Sequence, residues 1–173
     1  NDINLGECSP DFNMGFNLNV RYKRVSLATT WSWQQGGKMY HGTLGVMDTF
    51  GATKETAEAR DNGGVIANGR VMIDPQTWYT AIGSQSGLPQ YYTYSATNVR
   101  LQEASIGYTL PRKWLNNVCD IQVSLVGRNL WMIYNKAPFD PEAVATTGNY
   151  YQGIDFFMLP STRNIGLNVK INF

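Results

Sequence analysis

The sequence predicts an all-β chain whose strands form part of an antiparallel transmembrane β-barrel with long external loops. Three observations predict this fold. Apolar and polar residues alternate strictly over segments long enough to cross a bilayer, and short polar turns and long polar loops follow each other along the chain. The last alternating segment also closes on an aromatic residue, Phe173. We expect about five strands, fewer than the practical minimum of about eight for a closed barrel.

Composition and charge narrow the possible classes further. The 173 residues include 14 Lys and Arg against 13 Asp and Glu, so no basic surface points to nucleic acid. No apolar run of about 18 residues predicts a transmembrane helix, and the start of the chain has no signal-peptide pattern. The mean hydropathy of −0.30 is compatible with barrel strands. Because the chain begins with Asn1 rather than Met, we interpret it as a fragment or a processed product with its leader upstream.

The first two strands form a predicted hairpin. In residues 12–22 every even position is apolar and every odd position is Asn, Gly or Arg. At ordinary strand rise and barrel tilt, such a strand spans about 27 Å of the membrane normal, close to the apolar band of about 25 Å in outer-membrane barrels. Lys23 and Arg24 then form a tight turn into a second alternating strand, residues 25–34.

A long loop with little structure of its own is expected over residues 36–97, where the alternation is lost. Its one helix-prone stretch covers residues 54–60 and ends at Asn62, Gly63 and Gly64. Loops of this length are unusual in compact soluble domains and common on the outside of barrels. We therefore expect this loop to be extracellular.

The remaining strands are predicted over residues 98–110, 120–132 and 161–173, with a second extracellular loop over residues 135–160. In the first of them the alternation slips near Glu103 and Ala104, which predicts a β-bulge. If the short turns face the periplasm, the C-terminus is periplasmic. Aromatic residues then form two belts: Phe12, Trp31, Trp33 and Trp131 on the outer side, and Tyr22, Tyr108 and Phe173 on the inner side.

Several strings carry a resemblance to a known family. They are VRLQEASIGYTLPRKWL at 99–115, VSLVGRNLW at 123–131, FDPEA at 139–143 and LPSTRNIGLNVKINF at 159–173, together with PDF at 10–12 and WQQGG at 33–37. In this order and spacing they resemble the C-terminal part of the SusC/RagA family, the TonB-dependent outer-membrane transporters of Bacteroidetes. The last strand also resembles a barrel assembly signal, formed by Ile165, Leu167, Val169, Ile171 and Phe173.

The resemblance implies a large barrel of about 22 strands with an N-terminal plug, of which these residues would supply about the last five strands and no plug. It implies active import of oligosaccharides or peptides, nutrient uptake that needs no cofactor and is not enzymatic. The implied partners are a SusD-like surface lipoprotein, the TonB complex acting through the plug domain, outer-membrane lipid and the remaining strands of the same barrel. The implied location is the cell outer membrane, as a multi-pass β-barrel.

Candidate ligand-binding residues are the aromatic side chains of the two long loops, because carbohydrates commonly stack on aromatic rings beside amides and carboxylates. They are Trp78, Tyr79, Tyr91, Tyr92, Tyr94, Tyr150 and Tyr151. The alternative is that these rings pack the loops against each other or against the lipoprotein.

Other polar residues have simpler readings. Asp140, Glu142 and Asp155 could suggest a calcium site or a glycosidase pair, but Pro141 beside Asp140 favours turn chemistry, so no catalytic or metal-binding residue is predicted. His41 is the one histidine and is expected to be a solvated loop residue. Arg128 and Asn129 are expected in a polar network on the lumen side.

The two cysteines are expected to be free thiols. Cys8 and Cys119 belong to opposite ends of the predicted strands, much farther apart than the Cα separation of about 7 Å that a disulfide tolerates. Two other classes remain open, a soluble carbohydrate-binding β-sandwich and an enzyme domain. A sandwich would bury Phe16, Leu18, Val20 and Val169 in a core between two sheets, whereas a barrel would leave them facing outward.

Overall fold

The computed structural model describes residues 4–67, 69–84, 86–115, 118–146, 148 and 151–172. In chain order its elements are β1 Pro10–Tyr22, β2 Val25–Gly36, β3 Lys38–His41, α1 Gly42–Thr49, α2 Lys54–Asp61, β4 Val65–Ala67, β5 Val71–Ile73, α3 Pro75–Gly83, β6 Thr93–Ser95, β7 Asn98–Thr109, β8 Asp120–Asn135, β9 Ile154–Asp155 and β10 Asn164–Asn172. Single 3₁₀ turns cover Pro89–Tyr92 and Arg112–Leu115. None of the helices in the described ranges is long and apolar enough to cross a membrane.

The chain divides into two compact units. The sheet unit consists of Pro10–Gly36, Ala96–Pro138 and Ser161–Phe173, and the loop unit of Asn1–Ser9, Gly37–Ser95 and Phe139–Pro160. Each unit therefore draws on three separate stretches of the chain. The long connections between strands supply the loop unit, and the alternating segments supply the sheet unit.

The sheet unit is a single antiparallel sheet of five strands in the order β1-β2-β7-β8-β10. The expected all-β class with about five antiparallel strands is confirmed. Its register aligns apolar residues across all five strands, as in the row Val20, Leu27, Ile106, Leu125 and Leu167. Because side chains alternate between the two faces of a strand, this register makes one face apolar and the other polar.

The expected β-bulge in the third strand of this sheet is confirmed. The pairing of β2 with β7 steps from Thr30↔Glu103 to Trp31↔Leu101, so Gln102 is the additional residue. On the other side of β7 the register shifts at the same point, and β8 carries Asn129 there with φ of 50°. Asn tolerates this left-handed conformation better than most residues, which suits it to the position.

The loop unit has more regular structure than the sequence pattern predicted. Only α2 was expected, and it begins at the N-cap Thr53, whose side-chain oxygen accepts a hydrogen bond from Thr56 N at 3.2 Å. Helices α1 and α3, the three-stranded sheet β6-β3-β9 and the β4-β5 hairpin were not expected. Helix α1 has the sequence GTLGVMDT, whose apolar residues do not recur with the helical period that would predict a helix.

Helices α1 and α3 pack closely against each other in the loop unit. A Cβ added to Gly83 of α3 would lie 2.4 Å from Gly45 O of α1 and 2.6 Å from Thr49 Oγ1. The approach of the two backbones therefore depends on the missing side chain at Gly83. Packing against α3 stabilises α1, a short helix whose own sequence has too little helical propensity to form it alone.

Candidate functional site

The apolar face of the sheet unit is exposed, although its residues would belong in a core if the protein were an ordinary soluble domain. Phe16, Leu18, Val20 and Val169 are 50%, 54%, 46% and 51% exposed. A β-sandwich covers such a face with a second sheet, so the exposure of these four side chains argues against the sandwich alternative. Contiguous apolar surface on this scale marks contact with a membrane or a partner.

Aromatic rings lie at both ends of this face. At one end Phe12 and Trp33 meet edge to face with their ring centroids 5.2 Å apart. At the other end Tyr22 pairs with Val25, which in turn pairs with Tyr108 on β7. Rings concentrated at the two ends, with aliphatic residues between them, match the interfacial belts of membrane barrels. Phe173, the expected third member of the inner belt, lies outside the described residues.

The last strand contributes its apolar side chains to the same face. Ile165, Leu167 and Ile171 are 69%, 69% and 48% exposed, and each pairs with a residue of β8. The expected segment 161–173 forms strand β10 over Asn164–Asn172. Whether this strand acts as an assembly signal remains a prediction.

A hydrogen-bond network on the polar face joins three of the strings that carry the family resemblance. Arg100 of β7 is 2% exposed, and its Nη1 donates to Asn129 Oδ1 at 3.3 Å and to Ser161 Oγ at 3.0 Å. Asn129 Nδ2 donates in turn to Thr162 O at 3.2 Å. The network thus ties the bulge of β8 to the segment that leads into β10.

Arg100 is the residue of this network that sequence reasoning missed. It stands opposite Ser32 in the register and so shares the polar face, where a charged side chain inside a strand could have signalled a paired group. Beside it, Arg128 Nε lies 3.0 Å from Glu103 Oε2, an exposed ion pair that contributes little on its own.

In the loop unit, Tyr92 is a buried structural residue rather than an exposed platform. Its side chain is 2% exposed, and its hydroxyl donates to Asp48 Oδ2 at 3.0 Å. Asp48, itself 3% exposed, also accepts a hydrogen bond from Thr53 Oγ1 at 2.7 Å. Burial, and then the neighbouring Asp48 carboxylate, raise the pKa of Tyr92 far above its ordinary value. Tyr92 therefore remains a hydrogen-bond donor at physiological pH and offers no surface to a ligand in this conformation.

The other candidate aromatic residues are spread over the loop unit. Trp78 of α3 and Tyr91 meet edge to face with ring centroids 5.7 Å apart, and Tyr91 is 44% exposed. Tyr94 lies on β6 with its ring 6.2 Å from that of Phe139. Tyr151 is 56% exposed, whereas Tyr150 lies outside the described residues.

Tyr79 lines a cavity of about 300 Å³ within the loop unit. Other lining residues include the buried Asp48, the exposed Phe50 and Arg60, and Gln76. Burial, and then the negative charges of Asp48 and Glu55, raise the pKa of Tyr79, so its hydroxyl stays protonated at neutral pH. Two rings, an amide and charges of both signs around a cavity of this size can hold a small polar ligand.

His41 is not the solvated residue that the sequence suggested. Its Nδ1 lies 2.5 Å from Asp155 Oδ2, and its ring stacks on Phe139 with centroids 4.4 Å apart. Thr43 Oγ1 donates to the same Asp155 oxygen at 2.7 Å. Because β3 and β9 run side by side at this point, the cluster joins the two long loops of the sequence. No local sequence pattern predicts this contact because His41 and Asp155 are more than a hundred residues apart.

The described ranges show no cluster of metal-binding side chains. No three His, Cys, Asp or Glu side chains there are grouped closely enough to hold a metal ion. Asp140 Oδ1 accepts a hydrogen bond from Glu142 N at 3.1 Å, as in the expected turn. Cys8 and Cys119 are free thiols.

Comparisons with known proteins agree on one class. No protein-family model matches the chain. The TonB-dependent receptor P3 of Formosa agariphila is 28% identical over 175 residues, which cover 96% of this chain and 17% of the relative. Two solved structures of the RagAB peptide importer are similar at 20% identity, with TM-scores of 0.65 in the open-open state and 0.56 in the closed-closed state. Both similarities cover 95% of this chain and 17% of the solved chain.

A five-stranded antiparallel sheet with one exposed apolar face, one polar face and a folded unit built from its long connections is a segment of a transmembrane β-barrel. Over 96% of its length the chain is similar to a TonB-dependent receptor, and it resembles the C-terminal part of such a transporter. It spans 17% of the length of these relatives, which are named as a TonB-dependent receptor and a peptide importer.

Proposed function

We propose that this chain is a wall and loop segment of an outer-membrane, TonB-dependent importer of oligosaccharides or peptides. The single observation that carries this proposal is the exposed apolar face of the sheet unit, which lipid would cover. The polar face would then line the lumen, and the network around Arg100 would hold the wall beside the channel. The segment is not an enzyme in this proposal and needs no cofactor.

We infer the orientation of the segment from the lengths of its connections. The short turn at Lys23–Arg24 and the short connection between β7 and β8 would face the periplasm, together with the C-terminal end of β10. The loop unit would then be extracellular and would receive the ligand. Trp78, Tyr79, Tyr91, Tyr94 and Tyr151 remain its proposed ligand contacts.

A SusD-like surface lipoprotein is the proposed extracellular partner. The β4-β5 hairpin supports this proposal because Ile66, Val71 and Met72 are 63%, 58% and 62% exposed on a two-stranded ribbon. Apolar side chains exposed together on an extracellular loop are typical of a contact surface. TonB would act through a plug domain supplied by other parts of the receptor.

The wall assignment can be tested in the full-length receptor with Leu18→Arg. Leu18 lies within one residue of the middle of the apolar span of β1, where an arginine facing lipid costs about 2–4 kcal/mol. We expect the variant to show a lower urea midpoint when folded into lipid vesicles and a smaller amount in the outer membrane. The matched control is Asn17→Arg, which places the same charge on the polar face of the same strand. Equal loss in both variants would contradict the assignment of the faces.

The transport assignment needs a separate measurement. A strain lacking the receptor should lose growth on a particular oligosaccharide or peptide mixture as its only nutrient source and regain it with the wild-type gene. Normal growth of that strain on every such mixture would contradict import as the function, while leaving the barrel fold untouched.

A further inference from the structure

The turn between β1 and β2 has an unusual sequence for its geometry. Two-residue hairpin turns favour Gly, Asn or Asp where the backbone is left-handed. Here Lys23 occupies that position with φ of 53°, and Arg24 follows it. A long cationic side chain is a poor choice for such a turn on conformational grounds. The positive charge of Lys23 is therefore expected to contribute to function.

Both cations of this turn line an open cavity of about 670 Å³. The remaining lining residues are Tyr22, Val25 and Tyr108, so the cavity has two basic side chains, two aromatic rings and one aliphatic contact. Lys23 Nζ lies 5.3 Å from the centre of the Tyr22 ring, a cation–π distance. Thr109 N donates to Arg24 O at 2.9 Å, which holds the turn against β7.

Basic residues outnumber acidic ones in the sequence of the strands and turns around this cavity. Residues 12–47 contain no Asp or Glu, and residues 104–139 contain one, Asp120. The neighbouring turn adds Arg112 and Lys113 in sequence, and Trp114 in that turn is 73% exposed. Few carboxylates are therefore available to neutralise these cations, and a ligand carrying negative charge would meet a complementary surface.

We propose that this cavity binds the headgroup of an anionic glycerophospholipid. Lys23 and Arg24 would contact the phosphodiester, Tyr22 and Tyr108 would lie at headgroup level, and the first acyl carbons would continue along Val25 onto the apolar face. A lipid suits this surface better than free phosphate because the cavity opens beside the exposed apolar face, where acyl chains would run. The proposal rests on the barrel function above, since the short turn places the cavity on the periplasmic side.

The test uses the delipidated full-length receptor in neutral detergent, titrated with an equimolar mixture of phosphatidylglycerol and phosphatidylcholine. Native mass spectrometry gives the ratio of bound phosphatidylglycerol to bound phosphatidylcholine. Because one cation near a lipid surface changes anionic lipid association by about fivefold, the ratio should fall about fivefold in Lys23→Gln and more in K23Q/R24Q. The charge-conserving K23R/R24K should keep the wild-type ratio.

The control variant K54Q/R70Q removes two exposed cations from the loop unit and should leave the ratio unchanged. A ratio in K23Q/R24Q equal to that of the wild type would overturn the proposal. Displacement of bound phosphatidylglycerol by millimolar glycerol phosphate would also overturn it, because the site would then recognise a soluble phosphate. Preferential binding of lipopolysaccharide over phosphatidylglycerol would contradict the choice of lipid and the side of the membrane.

The experiment distinguishes a wrong barrel assignment from a wrong headgroup site. A receptor that binds neither phospholipid and does not insert into vesicles would contradict the wall assignment itself. Equal binding of both phospholipids by an inserted receptor would contradict the headgroup site alone. Folding of each variant is checked beforehand by the urea midpoint in vesicles, so that loss of structure is not mistaken for loss of the site.

Discussion

Replacing Tyr92 by Phe should loosen the loop unit without touching the sheet. The substitution removes the hydroxyl that donates to Asp48 at 3.0 Å and leaves a carboxylate that is 3% exposed with one fewer partner. A buried hydrogen bond to a charged group is worth about 1.5–3 kcal/mol, and the remaining bond from Thr53 keeps the loss within that range. We therefore expect local opening to become about 10- to 150-fold more frequent.

Hydrogen exchange of the full-length receptor, read by mass spectrometry on peptides covering α1 and the 3₁₀ turn Pro89–Tyr92, measures this opening. Peptides from β1 and β2 should exchange as in the wild type. The matched control is Tyr91→Phe on the neighbouring residue, whose ring packs on Trp78 and is 44% exposed. Exchange in α1 that is unchanged in Tyr92→Phe, or raised equally in both variants, would refute the buried hydrogen bond as a source of stability.

The same pair has a pH dependence with a definite sign. Burial and Asp48 raise the pKa of Tyr92 above its ordinary value of 10.0. A group whose pKa is raised by folding stabilises the folded state fully below its unfolded pKa, and this contribution is lost as the pH rises toward the folded value. The difference in opening between wild type and Tyr92→Phe should therefore be constant up to about pH 10 and narrow above it. A difference that widens above pH 10 would contradict the sign.

Two further pairs of substitutions each test one close contact, the first in the loop unit and the second in the sheet unit. Gly83→Ala should destabilise the contact of α1 with α3 by about 1–3 kcal/mol because its Cβ would lie 2.4 Å from Gly45 O. Gly45→Ala should cost less because its Cβ would meet no atom nearer than 3.5 Å. Hydrogen exchange in α1 compares the two variants. Asn129→Ala should lower the urea midpoint of the folded barrel because it removes the amide that links Arg100 to Thr162 O. Asn129→Gly should lower it less, since glycine keeps the left-handed backbone at no steric cost. A larger loss in Gly45→Ala or in Asn129→Gly would contradict these readings.

The sheet could be predicted from the sequence because each of its strands carries its own signal. In residues 12–22 every second residue is apolar, which predicts the apolar face of the strand. The additional residue Gln102 interrupts the same alternation in β7, which predicts the bulge. Contacts in the loop unit leave no comparable local pattern. Helix α1 depends on the absence of a side chain at Gly83, and the contact of His41 is with Asp155, which lies far away in sequence.

The aromatic residues of the loops show the same limit at the candidate site. Their abundance suggested ligand platforms, and composition alone could not separate Tyr92, which is 2% exposed, from Tyr91, which is 44% exposed. The difference arises because the hydroxyl of Tyr92 meets a buried carboxylate from another helix. Only the packing of the loop unit decides which rings remain available.

The parallel pairing of β3 with β9 imposes an order on folding. Strand β3 follows the first hairpin directly, but its partner comes more than a hundred residues later, after β7 and β8. The loop unit can therefore complete its three-stranded sheet only when the second long loop has been synthesised and brought back. Closing so long a stretch of chain is slow when its ends diffuse freely. Pairing of β7 with β8 brings Asn98 opposite Asn135 and shortens that search, so this pairing should precede the pairing of β3 with β9.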